Sequence, residues 1–293
     1  MRTKNFLLFV MIVVTALIVA GCGRRSSKAG NSIQVKGSNT MLQLGQAWAE
    51  AYNAISSTKV SVSGEGSGVG ISALINGTTD IAEASREMEP AEIKDAKAKG
   101  IDPIRTTVAW DGLAIIVNPS NPVRKLTIEQ LRSIFLGEVK NWREVGGPNE
   151  EIVVTTRDTS SGTHQYFKEK VLRRGNSKGK EEFPRSALTI TSSQTAVQTV
   201  EQDKGAIAYV GLGYVTPKVA DVAIAKSNER PYIKPTIETV MNRSYPISRA
   251  LYFYTNGQPT GKVKAFVDFV LSDKGQQIVE KIDFVPIRKV EAR

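Results

Sequence analysis

Cysteine and histidine are almost absent from this chain of 293 residues: Cys22 and His164 are the only ones. Zinc sites of the Cys/His type need more such ligands, and with a single cysteine and a single histidine a cysteine protease is nearly excluded as well. Aromatic residues make up only 7% of the chain. That share, with no internal repeat, argues against base-stacking platforms for nucleic acid and against solenoids. The longest apolar run, Phe6 to Ala20, falls short of the roughly 20 residues a membrane span needs. No Gly-x-Gly-x-x-Gly register and no Gly-Lys-Ser/Thr occurs in the glycine-rich stretch GEGSGVG (64–70), so neither nucleotide-binding template fits.

What is present is informative from the first residues. Arg2 and Lys4 precede the apolar run, and VAGC (19–22) follows it. This is the pattern of a signal peptide over 1–21 that ends at a bacterial lipobox, with Cys22 expected to carry the lipid. Such a cysteine serves targeting rather than redox chemistry. Loss of Arg2 and Lys4 with the signal peptide lowers the formal net charge from +10 to +8. Residues 22–32 read as a polar, basic tether. The densest basic run, RRGNSKGK (173–180), reads as a solvated loop. At 41% hydrophobic, the rest can bury a sizeable core in two lobes.

Alternating strands and helices follow. SIQVKG (32–37), KVSVSGEGSG (59–68), DIAEASR (80–86), IRTTVAW (104–110) and GLAIIVN (112–118) have strand character. Helices are expected over 41–55, 69–75 and the stretch after Glu89, where Pro90 suits a first turn and Gly100 an end. The order predicts an α/β unit with a mainly parallel sheet. Two prolines and two asparagines in NPSNPVRK (118–125) mark a boundary. A second α/β unit follows, with helices over 127–135, 163–172 and 195–201 and strands over 152–156 and 205–211. RALYFYTNG (249–257) is a late strand, and one amphipathic helix is expected through 263–282. Periodicity leaves open which unit these last two join.

Four hydroxyl-rich stretches sit where a strand hands over to a helix: GSNT (37–40), GEGSGVG (64–70), ASR (84–86) and RDTSSGT (157–163). In open α/β sheets ligands bind at that end of the strands, where helix N-termini offer free N–H groups. Each stretch is also an ordinary capping or turn sequence on its own. The last is the strongest, because Arg157 offers a planar fork to an oxyanion beside Ser161, Gly162 and Thr163. Ser161 and His164 are three apart, which admits a serine hydrolase, but the surrounding residues lack the Gly-x-Ser-x-Gly elbow. His164 is expected at the surface or behind the site.

Eight motifs, among them GSNTM, GEGSGVGI, DIAEASREM, DGLAIIVNPSNPV, TTRDTSSGTHQYF and GAIAYVGLGY, resemble in order those of the substrate-binding proteins of phosphate-specific ABC transporters. The resemblance runs from about Ile33 to Ile287. It implies a two-lobed α/β periplasmic-binding-protein fold of class II, with two hinge crossings and each lobe a mixed sheet flanked by helices. Lobe one would comprise 33–118 and 249–293, and lobe two 119–248, which returns the late strand and helix to lobe one. It further implies that inorganic phosphate is held, without metal or cofactor, by Ser38, Asn39, Thr40, Ser67 and Gly68 from one side and Arg157, Ser161, Gly162 and Thr163 from the other.

Some family members carry an aspartate after the third strand to accept the proton of hydrogen phosphate. Ser85 and Arg86 stand there in this chain and are expected among the phosphate contacts, with Arg86 in the cleft adding positive charge that would tolerate other tetrahedral oxyanions. The acid expected at 159 is displaced to Asp158. Asp158 and Asp111 are therefore the candidate acceptors. The implied function is a lipid-anchored, monomeric receptor outside the cytoplasm that delivers phosphate to permease subunits and has neither catalytic residues nor nucleic-acid partners. Alternatives are a receptor for sulfate, molybdate or phosphonate, a hydrolase of phosphate esters using Ser161 and His164, and a signalling or adhesion lipoprotein.

Overall fold

The computed structural model describes residues 31–290. The signal segment 1–21, Cys22 and all of the tether but Asn31 and Ser32 lie outside the described residues. Among the described residues no helix is long and apolar enough to cross a membrane.

Strand β1 (Ser32–Gly37) leads into α1 (Leu42–Asn53), whose Leu44, Trp48 and Tyr52 recur every fourth residue and are buried. That spacing puts all three on one face. Trp48 meets Phe253 edge to face at 5.7 Å, and its indole N–H donates to the Gly275 carbonyl at 2.8 Å. Burial of each large side chain of this kind contributes about 1.5–3 kcal/mol. β2 (Lys59–Gly64), α2 (Ser67–Ile75), β3 (Ile81–Ala84) and α3 (Pro90–Ala98) complete the first half. Pro90 sits in the first turn of α3, and Glu89 and Glu92 close a capping box over its free N–H groups.

Where the sequence suggests two strands around Trp110 and Gly112, the structure has one, β4, running 15 residues from Pro103 to Val117. Its first part pairs antiparallel with β10 (Ser248–Asn256) through Gly112↔Ser248, and its last five residues pair with β8 (Ala206–Gly211). The apparent break at Asp111-Gly112 is thus the point where one continuous strand changes partners. Beyond it come β5 (Lys125–Thr127), α4 (Ile128–Phe135), β6 (Val153–Arg157) and α5 (Gly162–Phe167). The expected helix over 163–172 is α5 followed by a π-helical turn, Lys168–Leu172. Next are β7 (Leu188–Ile190), α6 (Ser193–Gln202), β8, β9 (Ala220–Ala225) and α7 (Ile237–Met241).

The single late helix expected from the sequence is two, α8 (Gly261–Leu271) and α9 (Asp273–Lys281). Ser272 breaks the run by turning extended, and its hydroxyl accepts from the Gly275 N–H at 3.2 Å. That is N-cap chemistry, which an apolar pattern does not reveal.

The strands run in the order β2-β1-β3-β10-β4-β8-β6-β7, with β9 pairing β4 and β5. The first half is therefore mixed rather than mainly parallel: β1 and β3 are parallel, but β10 enters antiparallel to both β3 and β4. Helices flank both parts, and the molecule has two lobes joined through β4 and β10. One core gathers around Trp48, Phe253, Phe266 and Phe284, another around Phe135, Trp142, Phe167 and Tyr209. The strand-end turns of β1, β2, β3, β6 and β7 meet between them.

Candidate functional site

Gly37 begins the first turn with φ of +145°, and a Cβ there would lie 2.1 Å from the Glu83 carbonyl oxygen. Only glycine lets β1 end so close to β3. Ser38 then donates its N–H to that carbonyl at 2.9 Å, while its buried hydroxyl has no partner. Asn39 reaches across the cleft: its Oδ1 accepts from the Ser193 N–H at 3.0 Å, and its carbonyl accepts from the Tyr214 hydroxyl at 2.9 Å. Thr40 and Thr163 touch hydroxyl to hydroxyl at 2.6 Å, both buried. Residues 123 apart in sequence thereby share one proton.

The second and third turns meet the fourth at Gly162. Ser67 and Ser85 hydroxyls lie 3.2 Å apart, and Ser67 also accepts from the Ser85 N–H at 3.0 Å. A Cβ on Gly162 would come within 2.3 Å of one hydroxyl oxygen and 2.7 Å of the other. The Gly68 N–H donates to the Ser160 carbonyl at 3.0 Å. Ser161 caps α5, its hydroxyl accepting from the His164 backbone N–H at 3.3 Å.

Arg157, at the end of β6, is 2% exposed. Its Nη1 donates to the Ser193 hydroxyl at 3.0 Å and its Nη2 to the Thr191 carbonyl at 2.8 Å, while Nε has no partner. Among the described residues it makes no ion pair. Burial, the dominant influence, pulls its pKa below the ordinary arginine value. A guanidinium does not give up its proton in a protein, so the charge stays and is undercompensated.

Of the two candidate proton acceptors, Asp158 has Oδ1 occupied by the Ser160 N–H at 3.0 Å and by the Ser160 hydroxyl. Asp111 is fully buried and ion-paired with Arg249 at 3.0 Å, and its Oδ1 accepts from the Leu212 N–H at 3.0 Å. Burial raises the Asp111 pKa against the pull of Arg249. Arg86 turns toward α3, with Nη1 and Nη2 each 2.7 Å from a Glu92 carboxylate oxygen. The structure thus brings together Ser38, Asn39, Thr40, Ser67, Gly68, Ser85, Arg157, Ser161, Gly162 and Thr163, with Asp111 and Asp158 engaged beside them.

His164 is not at the surface: it is 5% exposed. Its Nδ1 lies 3.3 Å from the Thr156 hydroxyl and its ring 4.8 Å from that of Phe183. Burial, then the nearby Lys168, brings its pKa down to about 4. The ring therefore contacts Thr156 and not the Ser161 hydroxyl.

Two contributors escaped the sequence reading. Ser193 opens α6 from TSSQT (191–195), a hydroxyl-rich strand-to-helix turn of the same kind as the other four, and could have been found by that rule. Arg249 is 4% exposed and donates from Nη2 to Thr163 Oγ1 at 2.9 Å and toward Thr40 Oγ1 at 3.4 Å. Its signal was a lone charge in an otherwise apolar strand, ISRALYFYTN. Tyr166, Tyr209 and Tyr214 surround these groups; burial pushes each up to about 12, so all remain neutral donors. The assembly is rich in donors and carries positive charge in a water-poor setting, which suits an oxyanion.

Comparison with known proteins agrees with this chemistry. The model for PBP superfamily domains matches residues 23–274. The phosphate-binding protein PstS of Pseudomonas aeruginosa is 32% identical over 90% of this chain and 85% of its own length. The chain belongs to the PstS family. Another PstS, from Borreliella burgdorferi, is 30% identical over 97% of this chain and 99% of its own. A crystal structure from Clostridium perfringens, described as a candidate phosphate ABC transporter substrate-binding protein with bound phosphate, superposes with a TM-score of 0.78. It is 30% identical and spans 88% of this chain and 100% of that one. Membership in the PstS family accounts for the two-lobed fold with the strand-end turns converging between the lobes.

Proposed function

We propose that this chain captures inorganic phosphate between its lobes and delivers it to the permease subunits of an ABC transporter. The observation that carries the reading is Arg157, a buried cation with neutral hydrogen-bond partners and an unused Nε. A tetrahedral oxyanion would supply the missing charge, and Ser38, Ser67, Ser161 and one hydroxyl of the Thr40–Thr163 pair would donate to its oxygens. Lobe one, 33–118 with 249–293, and lobe two, 119–248, would close on it by rotation about β4 and β10. The chain acts outside the cytoplasm, anchored by a lipid on Cys22, as a monomer and not as an enzyme. His164 faces Thr156 rather than Ser161, which disfavours hydrolysis of phosphate esters.

Calorimetric titration with phosphate and sulfate tests this. Phosphate binding that is lost in Arg157→Ala and kept in His164→Ala is the expected result. Tighter binding of sulfate would move the reading to another oxyanion, and turnover of a phosphomonoester that Ser161→Ala abolishes would overturn it.

A further inference from the structure

Asp111 and Arg249 are directly opposite one another on β4 and β10, at the point where β4 changes lobes. Asp111 Oδ2 accepts from Arg249 Nε at 3.2 Å and Nη2 at 3.0 Å, while its Oδ1 is held by the Leu212 N–H. The Tyr166 ring packs 5.4 Å from the guanidinium carbon, and its hydroxyl donates to the Ser248 carbonyl at 2.6 Å. Carboxylate, ring and strand together leave the guanidinium little freedom. Its Nη2 is therefore presented to the two threonine hydroxyls in a fixed direction.

Proton bookkeeping does the rest. Thr40 and Thr163 have one hydrogen each, and one of the two lies between their oxygens. The other cannot point at Arg249, which has only donors to offer. Whichever threonine holds it, that O–H must seek an acceptor elsewhere, and both residues are buried. We propose that Arg249, held by Asp111, is a positioning residue that fixes the Thr40–Thr163 pair as a net donor, so that this corner of the pocket takes an unprotonated oxygen of the bound oxyanion. Without Arg249 either threonine could turn to accept from a protonated ligand oxygen. The inference rests on the oxyanion reading above.

A double-mutant cycle on anion affinity is the test. The unaltered protein is first titrated with phosphate, sulfate and molybdate, and the tightest of these is carried through Arg249→Met, Thr163→Val and the double variant. Each single change is expected to weaken binding about 10- to 100-fold. If Arg249 acts through Thr163, the double variant is no more than about 3-fold weaker than the worse single variant, because the two losses are one. Thr163→Ser, which keeps the hydroxyl, should recover most of the affinity that Thr163→Val loses.

Because Arg249→Met strands a buried carboxylate, the cycle is repeated in an Asp111→Asn background, where no charge is left unpaired. Losses that multiply in both backgrounds would overturn the inference and leave the oxyanion reading standing. If none of the three anions binds the unaltered protein, both fall.

Discussion

Arg157 and Arg249 are both nearly inaccessible, at 2% and 4% exposure, yet their surroundings solve the problem of a buried charge in opposite ways. Arg249 has Asp111 directly opposite in the sheet, with two nitrogens on one carboxylate oxygen. Arg157 has only a serine hydroxyl and a carbonyl, and the charge of Arg249 acts further against its ionised form; each guanidinium keeps one nitrogen without a partner, so the carboxylate is what separates them. A paired charge rigidifies what surrounds it, whereas an unpaired one stores a preference for whatever arrives to neutralise it. Glu83 shows the third solution. It is fully buried, neither carboxylate oxygen has a partner, and burial raises its pKa well above the carboxylate range, so it can escape by staying protonated. Arginine has no such exit.

The sharpest break of this contrast is Arg157→Met. Phosphate affinity should fall by about 2–5 kcal/mol, as when one member of a buried charged contact is removed. Stability in anion-free buffer should stay level or rise, because the variant removes an undercompensated charge. Calorimetry and thermal melts read the two separately; a lower melting temperature without anion would show that Arg157 is already satisfied.

Arg249→Met should do the reverse to the fold. It leaves Asp111 buried without a cation, a loss of about 3–5 kcal/mol in urea unfolding. Asp111→Asn in the same chain should recover much of it, since the asparagine can still accept from the Leu212 N–H. No recovery would mean that the methionine costs through packing and not through charge.

How far the sequence foretold this pair of environments depends on how local each signal is. Arg157, Ser161 and Gly162 lie within six residues and follow a strand, so their grouping was legible. The convergence of the first four turns followed from one rule about strand ends. Arg249 was not legible, because its partners Asp111, Thr40 and Thr163 are 138, 209 and 86 residues away. The same distance problem kept periodicity from placing the late strand, which the structure inserts antiparallel between β3 and β4 as β10 in a sheet that strand order alone read as mainly parallel. Short strands β5 and β7, three residues each, are too brief for periodicity to register.

Gly162→Ala probes the contact that lies between the two arginine environments. The added methyl would enter the space of the Ser67 and Ser85 hydroxyls, at 2.3 and 2.7 Å. Overpacking of this kind costs about 1–3 kcal/mol. Both serines belong to turns from the opposite lobe, so the cost should appear in phosphate affinity and not in the unfolding of either core. Equal affinity for the variant and the unaltered protein would show that this contact is absent when the anion is bound.

His164 offers the smallest effect and a control on the whole comparison, since it is a buried base that can discard its charge. Its folded pKa of about 4 lies below the 6.5 of the free side chain. Between those two values the unfolded chain binds a proton that the folded chain does not, so stability is fully present above pH 6.5 and is lost as pH falls toward 4. From pH 6.5 down to about pH 5 the decline should be roughly 1–2 kcal/mol. His164→Phe keeps a ring against Phe183 and removes the titration, so its urea midpoint should be flatter across that interval, with phosphate affinity at neutral pH within about 3-fold of the unaltered protein. An equally steep pH dependence in the variant would shift the effect to another group and would mean that His164 takes up its proton as readily in the fold as in the unfolded chain.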